Sequence, residues 1–421
     1  MKQLDPKRRW VGKFTLGKND AVGELTYDPV NGIALEARIW PAPKDNLPFT
    51  SYPRISGHVG GDRPCTLFDA GDKNSRETSG EQFHNIDVNT IVLGFDCKSA
   101  DEPLFNGLNF QSPALTAFVQ PRGIRVKQNY RKSSFKTSYR PMKPKIDKWN
   151  DHTITIAAFG ATPTLQARDG TMEALETPYY EIKFATPVSL NSVLDHLTAL
   201  EFFLGLVVGQ FAGAPTVFVG IPDRESSIQI LRSRSWYAPF NYDEYRTSNV
   251  SLTELGSRAM PAMARWFDMF PRLERVTETY RAAQLVPQIE TNFIFLAQAL
   301  EGLHRVCLNT TAIPKADFES GIKALRAAIP ASMHSTSKTF FASRIPSHNE
   351  PGLAVRLRDL LKRVRTKIPM ALEHAEEDIR GIVDLRDEFS HGTLENTPQP
   401  FNYELISYYA HVSKRFSTSA C

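Results

Sequence analysis

The chain has 421 residues, 41% hydrophobic and 23% charged, an ordinary globular composition with material for two or three cored domains. A formal net charge of +4 is small for this length, so whole-chain charge does not demand a nucleic-acid partner and any basic patch has to be local. The four cysteines, Cys65, Cys97, Cys307 and Cys421, are too few and scattered for a disulfide framework, and no two stand at zinc-ligand spacing.

Residues 1–14 carry Lys2, Lys7, Arg8 and Arg9 with no apolar core behind them, which argues against a secretory signal and predicts a cytoplasmic protein. From residue 11 to about residue 230 the chain reads mostly as strands. Short runs rich in branched and aromatic residues lie at 22–27, 33–37, 65–68, 88–95, 153–159, 179–184, 216–221 and 228–232. Between the first two, Asp28-Pro29-Val30-Asn31-Gly32 is a turn signal, because proline presets one dihedral and Asn-Gly accepts positive φ. Strands at this spacing, without regular helices between them, predict an antiparallel sandwich or barrel-like domain rather than a doubly wound sheet. One helix interrupts them over 192–211, capped by Asn191 or Ser192 and ended by Gly213-Ala214-Pro215. Its apolar stretch, 197–211, is broken by Glu201 and falls short of the ~20 residues that span a bilayer. It reads as a helix buried in protein, and no membrane partner is expected.

The β-rich half also holds a basic run: Arg122, Arg125, Lys127, Arg131, Lys132, Lys136, Arg140, Lys143, Lys145 and Lys148, interleaved with Tyr130, Phe135 and Tyr139. Binders of single-stranded nucleic acid combine these residue types, one for phosphates and one for stacking on bases. A solvated loop with a proline-rich tail, here Pro141 and Pro144, has the same composition, so the run alone does not decide between the two.

After Ser251 glycine thins out and helical periodicity takes over. The pattern predicts one or two helices over 261–283 broken at Pro271, an amphipathic helix over 287–308, a shorter one over 315–329, and a polar loop over 332–350. In the second of these, Phe293, Leu296, Leu300 and Leu303 recur at three- and four-residue steps. A basic helix over 353–367 sets Arg356, Arg358, Lys362, Arg363, Arg365 and Lys367 against Asp359 alone. Pro369 opens the next helix, Leu372, Ile379, Ile382, Val383, Leu385 and Phe389 mark its buried stripe, and Gly392 closes it. Residues 397–400 are a breaker, and Asn402 caps a last helix rich in tyrosine. The fold class is therefore α+β: a β-rich antiparallel domain over 1–245, then an all-α bundle over 251–421.

Near the end of the helix opened by Pro369 stands Arg386-Asp387-Glu388-Phe389-Ser390-His391, the one Arg-x4–6-His in the chain. Arginine is a permanent cation whose planar fork of donors fits a phosphate. Histidine takes or gives a proton near neutral pH. The two residue types suffice to hold a phosphodiester and move its protons without a metal. In the last turn of a helix His391 lies where the macrodipole favours a cation, which suits an acid for a leaving oxygen. The same spacing also fits an arginine paired with a nearby carboxylate and a histidine that caps its helix. His374-Ala375-Glu376-Glu377-Asp378 lacks the second histidine of a zinc motif, and no cofactor or metal is expected.

The helical segment resembles a HEPN domain (higher eukaryotes and prokaryotes nucleotide-binding). The resemblance rests on an acidic residue in an early long helix, within Gln298-Ala299-Leu300-Glu301-Gly302-Leu303, and on Arg386 to His391 followed by Gly392. The front half resembles the N-terminal domain of ApeA-type abortive-infection proteins. It does so from Gly23-Glu24-Leu25-Thr26-Tyr27-Asp28-Pro29 through Gly32 and Ile55-Ser56-Gly57 to Cys65-Thr66-Leu67-Phe68-Asp69. The resemblance implies a metal-independent endoribonuclease that acts as a homodimer or higher homo-oligomer through the HEPN domain. It implies RNA, with transfer RNA foremost, as substrate, and a phage-derived trigger at the N-terminal domain. It assigns Arg386 to phosphate contact, His391 to proton transfer, and Glu301 to orienting the arginine or to an ordinary helix face. Asp387 departs from the asparagine common at that position; its carboxylate either pairs with Arg386 or weakens phosphate binding. Arg356, Lys362, Arg363 and Arg365 are then the candidates for guiding an RNA backbone, their alternative being an exposed basic face. A non-catalytic RNA-binding or dimerisation scaffold is the competing reading.

Overall fold

The computed structural model describes residues 7–42, 51–120, 124–129, 134–140, 145–147, 154–168, 171–211, 215–224, 228–233, 250–308, 310–345, 349–365 and 375–391. The chain divides into two compact units, Met1–Asp268 and Met269–Cys421.

The first unit begins with β1 (Arg8–Leu16), β2 (Asn19–Asp28), β3 (Gly32–Ile39), β4 (Ser51–Val59), β5 (Arg63–Thr78) and β6 (Glu81–Leu93). Antiparallel pairing runs β6-β3-β2-β1-β4-β5, and β5 pairs back with β6, so these strands close into a six-stranded barrel. Closure removes the free edges that an open sheet would expose. The period-two pattern faces Leu25, Tyr27, Ile33, Leu35, Ala37 and Ile39 into the core, where each is at most 3% exposed. Gly12 and Gly23 are partners across β1 and β2, and a Cβ at either would run into the carbonyl of His58 or Glu36. Glycine here lets neighbouring strands approach closely as the barrel turns. Inside the barrel, His84 Nδ1 and Asp72 Oδ2 form a buried pair at 2.5 Å.

The β2–β3 turn forms as the sequence predicts. Asp28 Oδ1 accepts from the Val30 amide at 2.9 Å and the Asn31 amide at 3.3 Å, and Gly32 takes φ +94°.

Beyond the end of β3, β6 pairs instead with β14 (Ile228–Arg232), which continues the sheet through β13 (Thr216–Gly220), β7 (Phe105–Gln111), β12 (Thr171–Val188), β11 (Ile154–Arg168) and β10 (Lys145–Asp147). Against this extension pack α1 (Pro113–Val119), through Phe118–Phe159 at 5.8 Å, and α2 (Leu190–Val208), through His196–Phe184 at 5.4 Å; Phe118 and Phe203 join the two helices at 5.8 Å, and Phe159 and Tyr180 stack across β11 and β12 at 4.9 Å. Ser189, rather than Asn191 or Ser192, caps α2, accepting from the Ser192 amide at 3.2 Å; Asn191 donates instead to Asp101 at 2.7 Å. Gly209 ends the helix in the left-handed conformation, φ 84°. This helix is long and apolar enough to cross a membrane, yet 56% of that window is buried within the protein. Its interrupting Glu201 lies 3.7 Å from Arg232, so the charge is matched where it is buried. Of the basic run, Arg125, Lys127 and Lys136 lie on a two-stranded antiparallel ribbon, β8 (Ile124–Asn129) and β9 (Ser134–Tyr139), and Lys145 lies on β10; Arg122, Arg131, Lys132, Lys143 and Lys148 lie outside the described residues.

Helices follow: α3 (Leu252–Leu255), α4 (Ala259–Leu285), α5 (Ile289–Cys307), α6 (Lys315–Ala327), α7 (Ser335–Arg344), α8 (Leu353–Arg365) and α9 (Ala375–His391). Two expectations are corrected. Pro271 lies inside α4 without breaking it. The missing amide costs about 3 kcal/mol, but burial of Phe270 and Leu273 on either side offsets it at roughly 1.5–3 kcal/mol each. The polar stretch 332–350 contains α7, whose first turn is held by His334 Nδ1 accepting from the Thr336 amide at 3.3 Å and by Lys338 donating to the Ala331 carbonyl at 2.6 Å. Pro369, Gly392 and the Asn402 helix lie outside the described residues.

Candidate active site

The site is built where α9 meets α5. The stripe Phe293, Leu296, Leu300 and Leu303 on α5 is buried, as are Ile379 and Ile382 on α9, and Phe293 meets Phe389 edge to face at 6.0 Å. Glu301 sits about 100° round the helix from Leu300, at the margin of the buried stripe, and its side chain is 16% exposed. At the adjacent Gly302 a Cβ would stand 2.9 Å from Val276 Cγ2, so glycine permits α4 and α5 to approach beside the carboxylate.

From α9, Arg386 reaches this margin. Its Nη2 donates to Glu301 Oε1 at 3.5 Å and its Nη1 to Asp387 Oδ1 at 3.0 Å. The acid of the early helix and the arginine of the late one thus meet across 85 residues of sequence. The 3.5 Å contact is long, which makes it an orienting interaction rather than a tight one. With 36% of the Arg386 side chain exposed, the fork remains reachable by an anion. His391 is the last residue of α9. Five residues along a helix turn about 140° and rise about 7.5 Å, so Arg386 and His391 stand on different flanks of the helix end. The imidazole itself lies outside the described side chains.

The basic residues of α8 fare differently. Arg356 is 5% exposed, its Nε donates to the Pro351 carbonyl at 2.6 Å, and its Nη2 pairs with Glu350. That corrects the expectation that it guides RNA: a buried cation bound to its own chain anchors the start of α8. Arg358 grips Glu376 of α9 with Nε contacts of 2.9 and 3.1 Å. Lys362 keeps 77% of its side chain exposed, 3.8 Å from Asp359, and Arg363 is exposed. The side chain of Arg365 lies outside those described.

Sequence reading passed over His304, which is 1% exposed, with Nε2 3.3 Å from both Asp359 Oδ2 and Thr310 Oγ1. The available signal was a polar residue next to Leu303 on an otherwise apolar stripe. The guanidinium of Arg356, followed by that of Arg305, holds the Glu350 carboxyl below the usual range. Burial pushes the Cys65 thiol up to about 12 and the Cys97 thiol up to about 11, which leaves neither as a nucleophile. Among the described residues no group of three or more His, Cys, Asp or Glu side chains could hold a metal ion.

Two family models match the chain: ApeA N-terminal domain 1 over residues 9–253 and Apea-like HEPN over residues 294–414. The second span includes Glu301, Arg386 and His391. No curated protein and no solved structure matches.

Proposed function

The chain belongs to the ApeA family, with an ApeA N-terminal domain 1 ahead of an Apea-like HEPN domain, and from that premise we propose that it is an endoribonuclease of antiphage abortive infection. HEPN domains are generally ribonucleases, and membership carries an RNA-directed defence role at the level of the family. The finer reading is cytoplasmic cleavage of RNA, transfer RNA foremost, without a metal. Two copies of the chain form one cleft, and a phage-derived trigger is read by the first domain. An open pocket of about 730 Å³ on the barrel, with Lys13, Arg38, Trp40 and His58 among its lining, suits that sensing role.

One observation carries the reading: Glu301 and Arg386 are drawn together, with the fork of Arg386 still partly open to solvent. In the reaction the 2′-hydroxyl gives up its proton to solvent as its oxygen attacks the adjacent phosphorus, and the 5′-oxygen leaves. Arg386 takes up charge on the phosphoryl oxygens. His391 supplies the proton to the leaving oxygen. The products are a 2′,3′-cyclic phosphate and a free 5′-hydroxyl.

The test is incubation of purified protein with total RNA in EDTA, followed by mapping of the ends. Cyclic phosphate ends are expected, and Arg386→Ala and His391→Ala are each expected to abolish them while circular dichroism stays unchanged. Undiminished cleavage by either variant would sink the proposal. A second reading has its own support: two carboxylates already engage Arg386, as in a purely structural ion pair. A scaffold of that kind binds RNA in a salt-sensitive way, yields no product, and is indifferent to His391→Ala.

A further inference from the structure

One segment of the first unit concentrates positive charge. Residues 103–146 contain nine lysines and arginines and no aspartate or glutamate, against a net charge of +4 for the whole chain. The centre of that segment is the β8–β9 ribbon, whose two strands pair with each other and, among the described residues, with no strand of the twelve-stranded sheet. Its register sets Arg125 opposite Ser138, Lys127 opposite Lys136 and Asn129 opposite Ser134. It sets Ile124 opposite Tyr139, Val126 opposite Thr137 and Gln128 opposite Phe135. Directly paired residues share a face and successive residues alternate. One face therefore collects Arg125, Lys127 and Lys136, and the other Ile124, Val126, Phe135 and Tyr139.

This arrangement is costly on its own. Like charges directly opposite each other destabilise a strand pair, and although β8 lies against β12, the ribbon shares no ladder with the larger sheet that would absorb the cost. Lys127 faces Lys136, Arg125 sits diagonal to Lys136, and the segment supplies no carboxylate to relieve them. A polyanion laid along that face turns the repulsion into attraction. Arg125 and Lys127 are about 6.8 Å apart along the strand, a step commensurate with successive phosphates of an extended nucleic acid strand.

We infer that the β8–β9 ribbon is an arm that grips the phosphate backbone of single-stranded RNA through Arg125, Lys127 and Lys136. The choice of RNA among polyanions rests on the nuclease reading; the cationic face does not.

The experiment uses the full chain carrying His391→Ala, so that RNA stays intact, and follows the anisotropy of a labelled oligouridine between about 50 and 200 mM salt. Adding Arg125→Ser, Lys127→Ser and Lys136→Ser is expected to flatten the slope of log K against log salt by about 2, and to weaken binding at ~0.1 M salt about a hundredfold, from roughly 0.7 per phosphate contact. Lys127→Arg with Lys136→Arg is expected to retain both slope and affinity. Should the triple variant fail to fold, Lys127→Gln alone is read, with a slope loss of about 0.7. An unchanged slope in the neutral variants overturns the inference, as does equal loss in the arginine variant. So does binding of polyglutamate, but not RNA, that depends on the three residues. Failure of the nuclease reading looks different: no cleavage by the protein with His391 intact, while the slope difference persists.

Discussion

Arg386 shows how a catalytic assignment and a structural one share the same atoms. Its fork is divided between Glu301, which sits in the wall of the helical unit, and Asp387, its exposed neighbour. Glu301 orients the guanidinium, whereas Asp387 competes with an incoming phosphate for Nη1. Exposed pairs of this kind are worth ~0.2–1 kcal/mol, so Asp387→Asn is expected to raise kcat/KM for RNA cleavage by up to about fivefold. A fall in kcat/KM would show that the carboxylate helps rather than competes. Arg356 makes the opposite case. Because its guanidinium is buried and bound within its own chain, Arg356→Ala is expected to cost about 2 kcal/mol of stability in urea titrations while leaving RNA affinity unchanged in a variant that still folds. Loss of RNA affinity at full stability would restore it to the binding face.

Among the elements, α4 and α7 mark where local propensity and structure disagree. Proline inside α4 is tolerated because Phe270 and Leu273 beside it are buried, not because the helix prefers it. Pro271→Ala is therefore expected to raise unfolding stability by about 1–3 kcal/mol, read as a shift of the urea midpoint at constant slope. An unchanged or lower midpoint would mean that the proline shapes the helix rather than burdens it. The α7 segment has the serine and threonine content of a loop, yet local hydrogen bonds from Lys338 and to His334 close it into a helix. The α6 helix, by contrast, follows its periodicity, although none of its residues is buried and Leu325 is 54% exposed. Sequence pattern thus reports where a helix forms more readily than what covers it.

At the scale of the molecule, several carboxylates hold their protons less tightly when folded than when unfolded. Glu350 is lowered chiefly by Arg356, and Glu254 by the amide and hydroxyl of Ser251. At Asp28 burial pulls upward, but the bonds from Lys7, the Val30 amide and Asn31 outweigh it and hold the group well below the carboxylate range. A carboxylate depressed on folding contributes stability that is complete above its unfolded pKa, about 4. That contribution is lost as pH falls through the lower folded pKa. The melting temperature is therefore expected to hold between about pH 5 and 7 and to drop below about pH 4. In Asp28→Ala with Glu350→Gln the midpoint is expected to be lower at neutral pH and the acid drop shallower. An acid profile parallel to the wild type would show that these two groups do not carry it.

What the sequence determined by itself was local. Alternating and helical periods placed most strands and helices, the Asp28–Gly32 turn followed from its own residue types, and Arg386 and His391 stood out by order and chemistry. All of these depend on neighbours within a few positions. The tertiary structure decided the rest. It set Glu301 against Arg386, one of the two roles the family resemblance had left open for that acid, it closed the barrel by pairing β5 back onto β6, and it buried Arg356 instead of offering it to RNA. Such outcomes depend on which distant side chains come to share space and lose water, and spacing along the chain does not encode that.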